Sequence, residues 1–212
     1  MAQPDTVARI LDTAEHLFAD RGFAETSLRT ITGRAGVNLA AVNYHFGSKK
    51  ALIQAVFERF LTPFCTSLDA ALDRRLAGGG GSPGLDELLA VIARATSELN
   101  ARDPARGVVF MRLTGLAYNE SQGHLRRYIA SQYGRTFSRL QRLLAEAAPE
   151  VPAEEMFWRI HFALGSVIFT LSGLTPLLAI AGSEFGRKPE FADVAARLQA
   201  FVAGGIRQGV GR

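Results

Sequence analysis

The segment TSLRTITGRAGVNLAAVNYHFGSKKAL, residues 26–52, contains the signals that decide the fold. Polar residues that can cap a helix N-terminus stand at three places in it, and a glycine ends the first helical stretch at Gly36. The candidate N-cap residues are Thr26 or Ser27, Asn38 and Ser48. The segment therefore predicts two short helices, over 27–35 and 38–45, joined by a tight turn and followed by a third helix.

A longer helix is predicted immediately before this segment, over residues 5–20. Its apolar residues recur every three or four positions, which is typical of a helix with one buried face. These residues are Val7, Ile10, Leu11, Ala14, Leu17 and Phe18. Gly22 follows the last turn, and we expect it to adopt the left-handed conformation that ends many helices. Two short helices braced by a preceding helix describe a helix-turn-helix.

The charge of the segment indicates what it faces. The chain carries 24 Lys and Arg residues against 20 Asp and Glu, a net charge of +4. Residues 26–57 contain four basic residues and no acidic residue, so this stretch alone equals the net excess. The basic residues are Arg29, Arg34, Lys49 and Lys50. A basic, acid-free surface on two short helices predicts contact with DNA.

The rest of the chain is helical in pattern, so we predict an all-α protein. Further helices are expected near 85–101, 105–118, 122–147, 153–182 and 190–208. Pro63 is expected to kink or divide the long helix that follows residue 48. The glycine-rich run at 78–84 predicts a flexible loop, since no strand precedes it and no Lys-Ser or Lys-Thr pair follows, as a phosphate loop would require. The predicted domains are a helix-turn-helix domain at 1–50 and a larger helical body at 51–212.

Residues 26–52 resemble the DNA-binding domain of the TetR family of bacterial transcriptional regulators. The similar features are the Thr-hydrophobic-Arg start, the Ala-Gly-Val turn, the His-Phe pair and the Ser-Lys-x-x-Leu end. FMRLTGLAYNESQGHLRRYI (110–129) and MFWRIHFALG (156–165) are similar to the PsrA-type regulators of pseudomonads. This resemblance implies a repressor that binds a DNA operator as a homodimer and is released by a long-chain fatty acid or acyl-CoA, without a cofactor.

The resemblance also implies roles for individual residues of the helix-turn-helix. Arg29 is expected to contact a guanine, which is worth about 1–3 kcal/mol of discrimination when both hydrogen bonds form. Phosphates are expected to be held by Ser27, Tyr44, His45 and Lys49. The residues expected to face the groove are Asn38, Ala40 and Asn43. Two departures from the family pattern are Thr32, where alanine is usual, and the pair Asn43–Tyr44, which leaves open which of the two reads bases.

The larger body is expected to bind the effector and to form the dimer. Candidate dimer helices are 153–182, with Phe157, Ile160, Ala163, Leu164, Val167 and Leu171, and 190–208, with Phe191, Val194, Leu198, Phe201 and Val202. Candidate ligand-binding residues are Phe110, Arg112, Leu116, Tyr133, Phe137, Trp158, His161, Phe162 and Phe169. An ordinary hydrophobic core produces the same apolar stripes. Arg112 and His161 could meet a carboxylate or thioester, or pair with an acid such as Glu120 or Glu155.

Other functional classes fit the sequence less well. The four histidines show no metal-binding spacing, and the chain has no nucleophile motif. The single cysteine, Cys65, lies in an apolar context typical of a buried thiol. We therefore expect neither an enzyme nor a metal site. The uncharged run 160–183 is long enough for a membrane span but contains several polar residues. A cytoplasmic regulator is therefore expected, with two alternatives: a TetR-type regulator of an efflux or stress operon sensing another hydrophobic compound, and a membrane-associated helical protein.

Overall fold

A computed structural model describes residues 6–102, 104–120, 122–187 and 189–207, with side chains at 99–102, 104 and 105 excluded. Throughout this part of the chain the regular secondary structure is helical, which confirms the all-α prediction. The helices are α1 Thr6–Glu25, α2 Leu28–Ala35, α3 Leu39–Phe46, α4 Lys49–Ala77, α5 Leu85–Arg102, α6 Pro104–Asn119, α7 Gly123–Ala147, α8 Ala153–Ser172, α9 Leu174–Phe185 and α10 Phe191–Arg207.

The short helices begin and end where the polar residues and glycines predict. Ser27 caps α2, because its Oγ accepts a hydrogen bond from the Thr30 amide at 3.0 Å. Gly36 ends α2 in the left-handed conformation, with φ 65° and ψ 36°. Asn38 caps α3 by accepting from the Ala41 amide at 2.8 Å, and Ser48 Oγ accepts from the Ala51 amide at the start of α4 at 3.1 Å. Of the two residues proposed for the first cap, Ser27 is therefore the one that forms it.

Gly22 does not form the predicted left-handed helix cap. Its φ of 84° is positive, as expected, but its ψ of 165° is extended, so the chain turns sharply and then continues to Glu25. This combination of angles is open essentially to glycine alone. Thr26 follows as a buried residue whose hydroxyl donates to the Gly22 carbonyl at 2.8 Å. The bend is thus fixed by backbone geometry and by a buried hydrogen bond.

The chain forms two compact units, and the first comprises residues 1–63 and 109–133. Its core is aromatic in the centre: the ring centroids of Phe18 and Phe23 are 5.3 Å apart, and those of Phe23 and Phe57 are 6.2 Å apart. Aliphatic residues from α1 to α4 complete it, among them Ile10, Leu17, Ile31, Val42 and Leu52. The apolar stripe predicted for the first helix is therefore the buried face of α1.

The second unit comprises residues 64–108 and 134–212. Its core combines α4, α5, α7, α8 and α10, with Leu72, Leu88, Leu144, Met156 and Val202 among the buried residues. Cys65 is buried, as predicted, and burial together with the nearby charge of Asp69 raises the pKa of its thiol to about 12. Pro63 lies inside a single helix, α4, so of the two predicted outcomes, a kink or a division, the helix is not divided. The glycine-rich run 78–84 connects α4 and α5 as a loop, as predicted.

The helix predicted over 153–182 is two helices. Gly173 separates α8 from α9, and the two helices are bent by 75° at this junction. Pro176 lies in the first turn of α9, where the absence of an amide hydrogen costs nothing, whereas a continuous helix would need that amide. Within the described part of the chain, no single helix is both long and apolar enough to cross a bilayer; only α8 and α9 taken together reach that criterion.

Candidate nucleic-acid interface

The second and third helices form the candidate DNA-facing surface of the first unit. On α2, Ile31 is fully buried while Arg29 and Arg34 are exposed. On α3, Val42 is fully buried while the groove-facing candidates Asn38, Ala40 and Asn43 are exposed. Because each short helix buries one side, the basic and polar residues are left together on the outer surface.

The two capping residues differ in the donors that they leave for a nucleic acid. Ser27 uses an oxygen lone pair to cap α2, and its hydroxyl is also 2.8 Å from the Thr30 hydroxyl. Asn38 uses its carbonyl oxygen as the cap, which leaves the two N–H donors of its amide available. Thr32, the departure from the family's usual alanine, is buried and donates its hydroxyl to the Arg29 carbonyl at 3.0 Å. The substitution is therefore accommodated without an unpaired polar group.

The aromatic and basic residues at the end of α3 are also accessible. Tyr44 is 85% exposed, and its ring meets that of His45 edge-on at a centroid distance of 5.0 Å. Lys49 donates from Nζ to the Ala24 carbonyl at 3.2 Å, and its ammonium has two further N–H donors. Lys50 is exposed beside it. These groups can hold phosphates, which bind through charge and hydrogen bonds without reading sequence.

A partly buried ion pair joins α1 and α4. Arg59 on α4 lies 2.6 Å from Glu15 and 2.8 Å from Asp12, measured from Nη1 to the nearest carboxylate oxygens. The Glu15 side chain is only 3% exposed, so the Arg59 guanidinium offsets part of the cost of burying its carboxylate. This pair ties α1 to α4 within the first unit.

Comparison with known proteins places this arrangement in a family. Residues 10–56 match the model described as "Bacterial regulatory proteins, tetR family". Residues 90–205, more than half of the chain, match "Tetracyclin repressor-like, C-terminal domain". The chain belongs to the TetR family of transcriptional regulators. Members of this family are regulators rather than enzymes, bind DNA and small-molecule effectors, and act as dimers.

Curated relatives match this chain over a short stretch only. The transcriptional repressor Rv3405c of Mycobacterium tuberculosis is 45% identical over 58 residues, which are 27% of this chain and 31% of that protein. The regulator TtgR of Pseudomonas putida is 41% identical over 54 residues, 26% of each chain. The matched stretch thus spans about a third or less of the length of these relatives.

Solved TetR-type structures share the fold over nearly the whole chain. A TetR-like regulator from Rhodococcus sp. RHA1 aligns with a TM-score of 0.61 at 20% identity, covering 97% of this chain and 98% of that one. The fatty acid degradation regulator FadR from Bacillus halodurans aligns with a TM-score of 0.57 at 15% identity, covering 98% and 100%. At this identity the likeness concerns the fold.

Four of the candidate ligand-binding residues belong to the first unit of this TetR-family chain. Phe110 stacks on Phe60 at a centroid distance of 4.8 Å, and Leu116 is half-buried. Arg112 is exposed and lies 3.9 Å from Asp20, so it does not pair with Glu120. Tyr133 is buried.

Tyr133 takes part in a polar array between α4 and α7. Its hydroxyl is 2.8 Å from that of Thr62, and the neighbouring Tyr128 donates to Glu58 at 3.0 Å. Burial, followed by this hydrogen bond, raises the pKa of Tyr128 above that of an ordinary tyrosine. The array gives Tyr133 a structural partner; its predicted contact with ligand stays a prediction.

The other five candidates belong to the second unit, and most of them are exposed. Phe137 is half-buried, whereas Trp158, Phe162 and Phe169 are 50–68% exposed along α8. His161 contacts the carbonyl of Phe157 through Nδ1 at 2.7 Å, and the centroids of the two rings are 4.1 Å apart. Glu155 accepts a hydrogen bond from Arg159 at 2.8 Å.

Several apolar residues that the sequence assigned to the dimer interface pack against the protein core instead. Ile160, Ala163, Val167 and Leu198 pack against the core of their own unit. The exposed apolar side chains of α8 to α10 are Phe157, Trp158, Phe162, Phe169, Ile180, Phe185, Phe191 and Phe201. We call this set the aromatic face. It combines residues that the sequence assigned to a ligand cavity with others assigned to the dimer, and helical spacing alone does not separate them.

An open groove of about 820 Å³ lies between α8, α9 and α10. Phe169, Leu177, Phe185 and Phe201 provide its apolar lining, and Arg197 contributes a charge. Sequence reasoning found Phe169 and Phe201 but missed the contribution of α9, because it treated 153–182 as one helix. The groove is therefore part of the aromatic face.

Proposed function

We propose that this protein is a repressor that binds a palindromic operator as a dimer through residues 26–52. The observation that carries the proposal is the exposed outer surface of α2 and α3, which is basic and free of acidic residues. A single helix-turn-helix reads one major groove weakly, so two copies on a palindrome supply the affinity that one lacks. The proposed domains are residues 1–50 for DNA and residues 51–212 for ligand and dimer, in a cytoplasmic protein.

The proposed contacts divide into those that read bases and those that hold phosphates. Arg29 reads a guanine, while Asn38, Ala40 and Asn43 face the groove. The phosphate contacts are Ser27, Tyr44, His45 and Lys49. All of these residues except Lys49, which is half-buried, are exposed, and the free donors of Asn38 and Lys49 also support contact with DNA.

The aromatic face supports a dimer through α8, α9 and α10. Monomeric proteins rarely leave so many large apolar side chains together in water, and a second copy of the chain covers them without a new partner. A two-fold arrangement places the same face on both subunits, which suits a palindromic operator. Phe162 and Phe201, which are 67% and 68% exposed, are proposed as central contacts.

We infer a long-chain fatty acid or acyl-CoA as the effector. The support is the resemblance of residues 110–129 and 156–165 to PsrA-type regulators, together with a fold shared with a fatty acid degradation regulator. Binding of the acyl chain shifts the dimer toward a form that does not fit the operator. Each of the nine candidate residues given above, from Phe110 to Phe169, stays a predicted ligand contact, and for Trp158, Phe162 and Phe169 this prediction is the alternative to the dimer contact.

The test is binding of the full-length protein to DNA from upstream of its own gene, followed by fluorescence anisotropy and footprinting. We expect protection of a two-fold symmetric site, and release when palmitate or palmitoyl-CoA is added. A protected site that no acyl ligand of any chain length releases would contradict the effector but not the DNA-binding role. Equal affinity for this DNA and for random DNA would contradict the operator itself.

Arg29→Ala tests the proposed base contact. We expect the preference for operator over random DNA to fall about 5- to 100-fold, corresponding to the loss of about 1–3 kcal/mol. Arg34→Ala is the matched control, because it removes the same charge from the same helix and is expected to weaken both DNAs alike. If the two variants behave identically, Arg29 contacts phosphate only.

A further inference from the structure

We propose that Glu120, at the end of α6, is a positioning residue for operator recognition. Its two carboxylate oxygens accept hydrogen bonds from the backbone amides of Phe23 and Ala24, each at 3.2 Å. These amides lie in the bend between α1 and α2. A single side chain from a distant part of the sequence thus holds the segment that leads into the DNA-facing helices.

Gly22 shows that the chain is shaped to receive this carboxylate. A Cβ atom built on Gly22 would lie 2.8 Å from Glu120 Oε1, closer than such atoms approach in proteins. Gly22 also has the φ of 84° described above. The backbone angle requires glycine, and a side chain at this position would also displace the Glu120 carboxylate from the bend.

The other polar groups around the bend come from nearby elements and hold its carbonyls. The Thr26 hydroxyl donates to the Gly22 carbonyl at 2.8 Å and also approaches that of Leu17 at 3.2 Å. Lys49 donates to the Ala24 carbonyl at 3.2 Å. Thr26 and Lys49 are donors and therefore bind carbonyls of the backbone. Glu120 is an acceptor, and it binds the amides of the bend, which those two residues do not contact.

The position of this contact connects it to recognition. Ser27, the cap of α2, follows Ala24 by three residues, so movement of the bend displaces the start of α2 and with it Arg29. Residues 109–133, which include the end of α6, belong to the same compact unit as the helix-turn-helix. The Glu120 carboxylate therefore fixes the position of the bend, and with it the start of α2, within this unit. This inference rests on the DNA-binding role proposed above.

The test compares Glu120→Ala and Glu120→Gln in the full-length protein. Glutamine retains one acceptor oxygen and can serve one amide, so we expect it to lie between alanine and the wild type. The preference for operator over random DNA should fall about 10-fold in Glu120→Ala, whereas affinity for random DNA, which depends on charge, should stay level or rise. Amide hydrogen exchange should quicken at Phe23 and Ala24.

Glu25→Ala is the matched control, since it removes an exposed carboxylate from the same bend. We expect it to leave both the DNA preference and the exchange at Phe23 and Ala24 unchanged. If Glu120→Ala and Glu25→Ala behave alike in both measurements, the positioning role is overturned. If the wild type itself shows no operator preference, the proposed function fails, and amide exchange still decides whether Glu120 holds the bend. If Glu120→Ala unfolds, Glu120→Gln provides the same comparison.

Discussion

The segment 26–52 and the helices α8 to α10 differ in how their structure relates to their sequence. In the first, a polar side chain or a glycine marks each helix boundary, and the inner side is marked by Ile31 and Thr32 on α2 and by Val42 on α3. In the second, α8 and α9 carry apolar residues on several sides, and no described residue of α9 is buried. Polar signals thus determine both the ends and the orientation of a helix, while an apolar helix is oriented only by its packing partners.

The largest expected effect comes from a substitution in the aromatic face of α8 to α10, because it should separate the dimer and thereby weaken operator binding. Phe162→Glu places a charge in the centre of the aromatic face, where a free monomer would tolerate it because the residue is 67% exposed. We expect a folded monomer by size-exclusion chromatography with light scattering. Operator affinity should fall by at least about 100-fold, since the advantage of binding two linked half-sites is lost.

Leu76→Glu is the control for this variant. Leu76 is 40% exposed on α4 and lies outside the aromatic face, so the same change there should leave the dimer and operator affinity intact. A Phe162→Glu protein that remains dimeric and binds the operator as the wild type does would show that another surface forms the dimer.

The next largest effect concerns the pairing of α8 with α10. Arg159 is 6% exposed and donates to Glu155 at 2.8 Å and to the Ile206 carbonyl at 2.7 Å. Arg159→Met keeps much of the volume but leaves that carbonyl without its donor. We expect the free energy of unfolding to fall by about 2–4 kcal/mol, measured by urea denaturation at one fixed protein concentration.

Arg142→Met provides the comparison for an exposed pair with the same spacing. Arg142 lies 3.9 Å from Glu146, four residues away, and its side chain is 69% exposed. Such pairs contribute at most about 0.5 kcal/mol, so the expected change is small. Similar losses in the two variants would mean that the burial of Arg159 adds nothing to its contribution.

The sequence predicted the architecture of the first unit well because its signals are local. Ser27, Gly36, Asn38 and Ser48 each act on a backbone group within a few residues, so their roles follow from spacing alone. The bend at Gly22 was only partly predicted. Its positive φ follows from glycine at a helix end, but its extended ψ depends on tertiary contacts that spacing does not contain.

The remaining features depend on distance in space. Glu120 bonds to an amide 97 residues away, and no local pattern links the two positions. The sequence indeed offered Glu120 as a partner for Arg112, a pairing that the structure replaces with backbone contacts. Trp158, Phe162 and Phe169 show the same limit: their spacing identifies a helix face, whereas their exposure is known only from the structure.

The smallest expected effect tests the local signals themselves, through one helix cap. Ser48→Ala removes the oxygen that accepts from the Ala51 amide, and we expect a loss of about 1 kcal/mol in the free energy of unfolding. Ser138→Ala makes the same chemical change at an exposed position inside α7, where alanine is the better helix former, and should stabilise the protein by a few tenths of a kcal/mol. In urea denaturation, the change in the free energy of unfolding should therefore have opposite signs for the same substitution at the two positions. A loss of equal size at both positions would mean that the hydrogen bond from the Ala51 amide to Ser48 does not stabilise the start of α4.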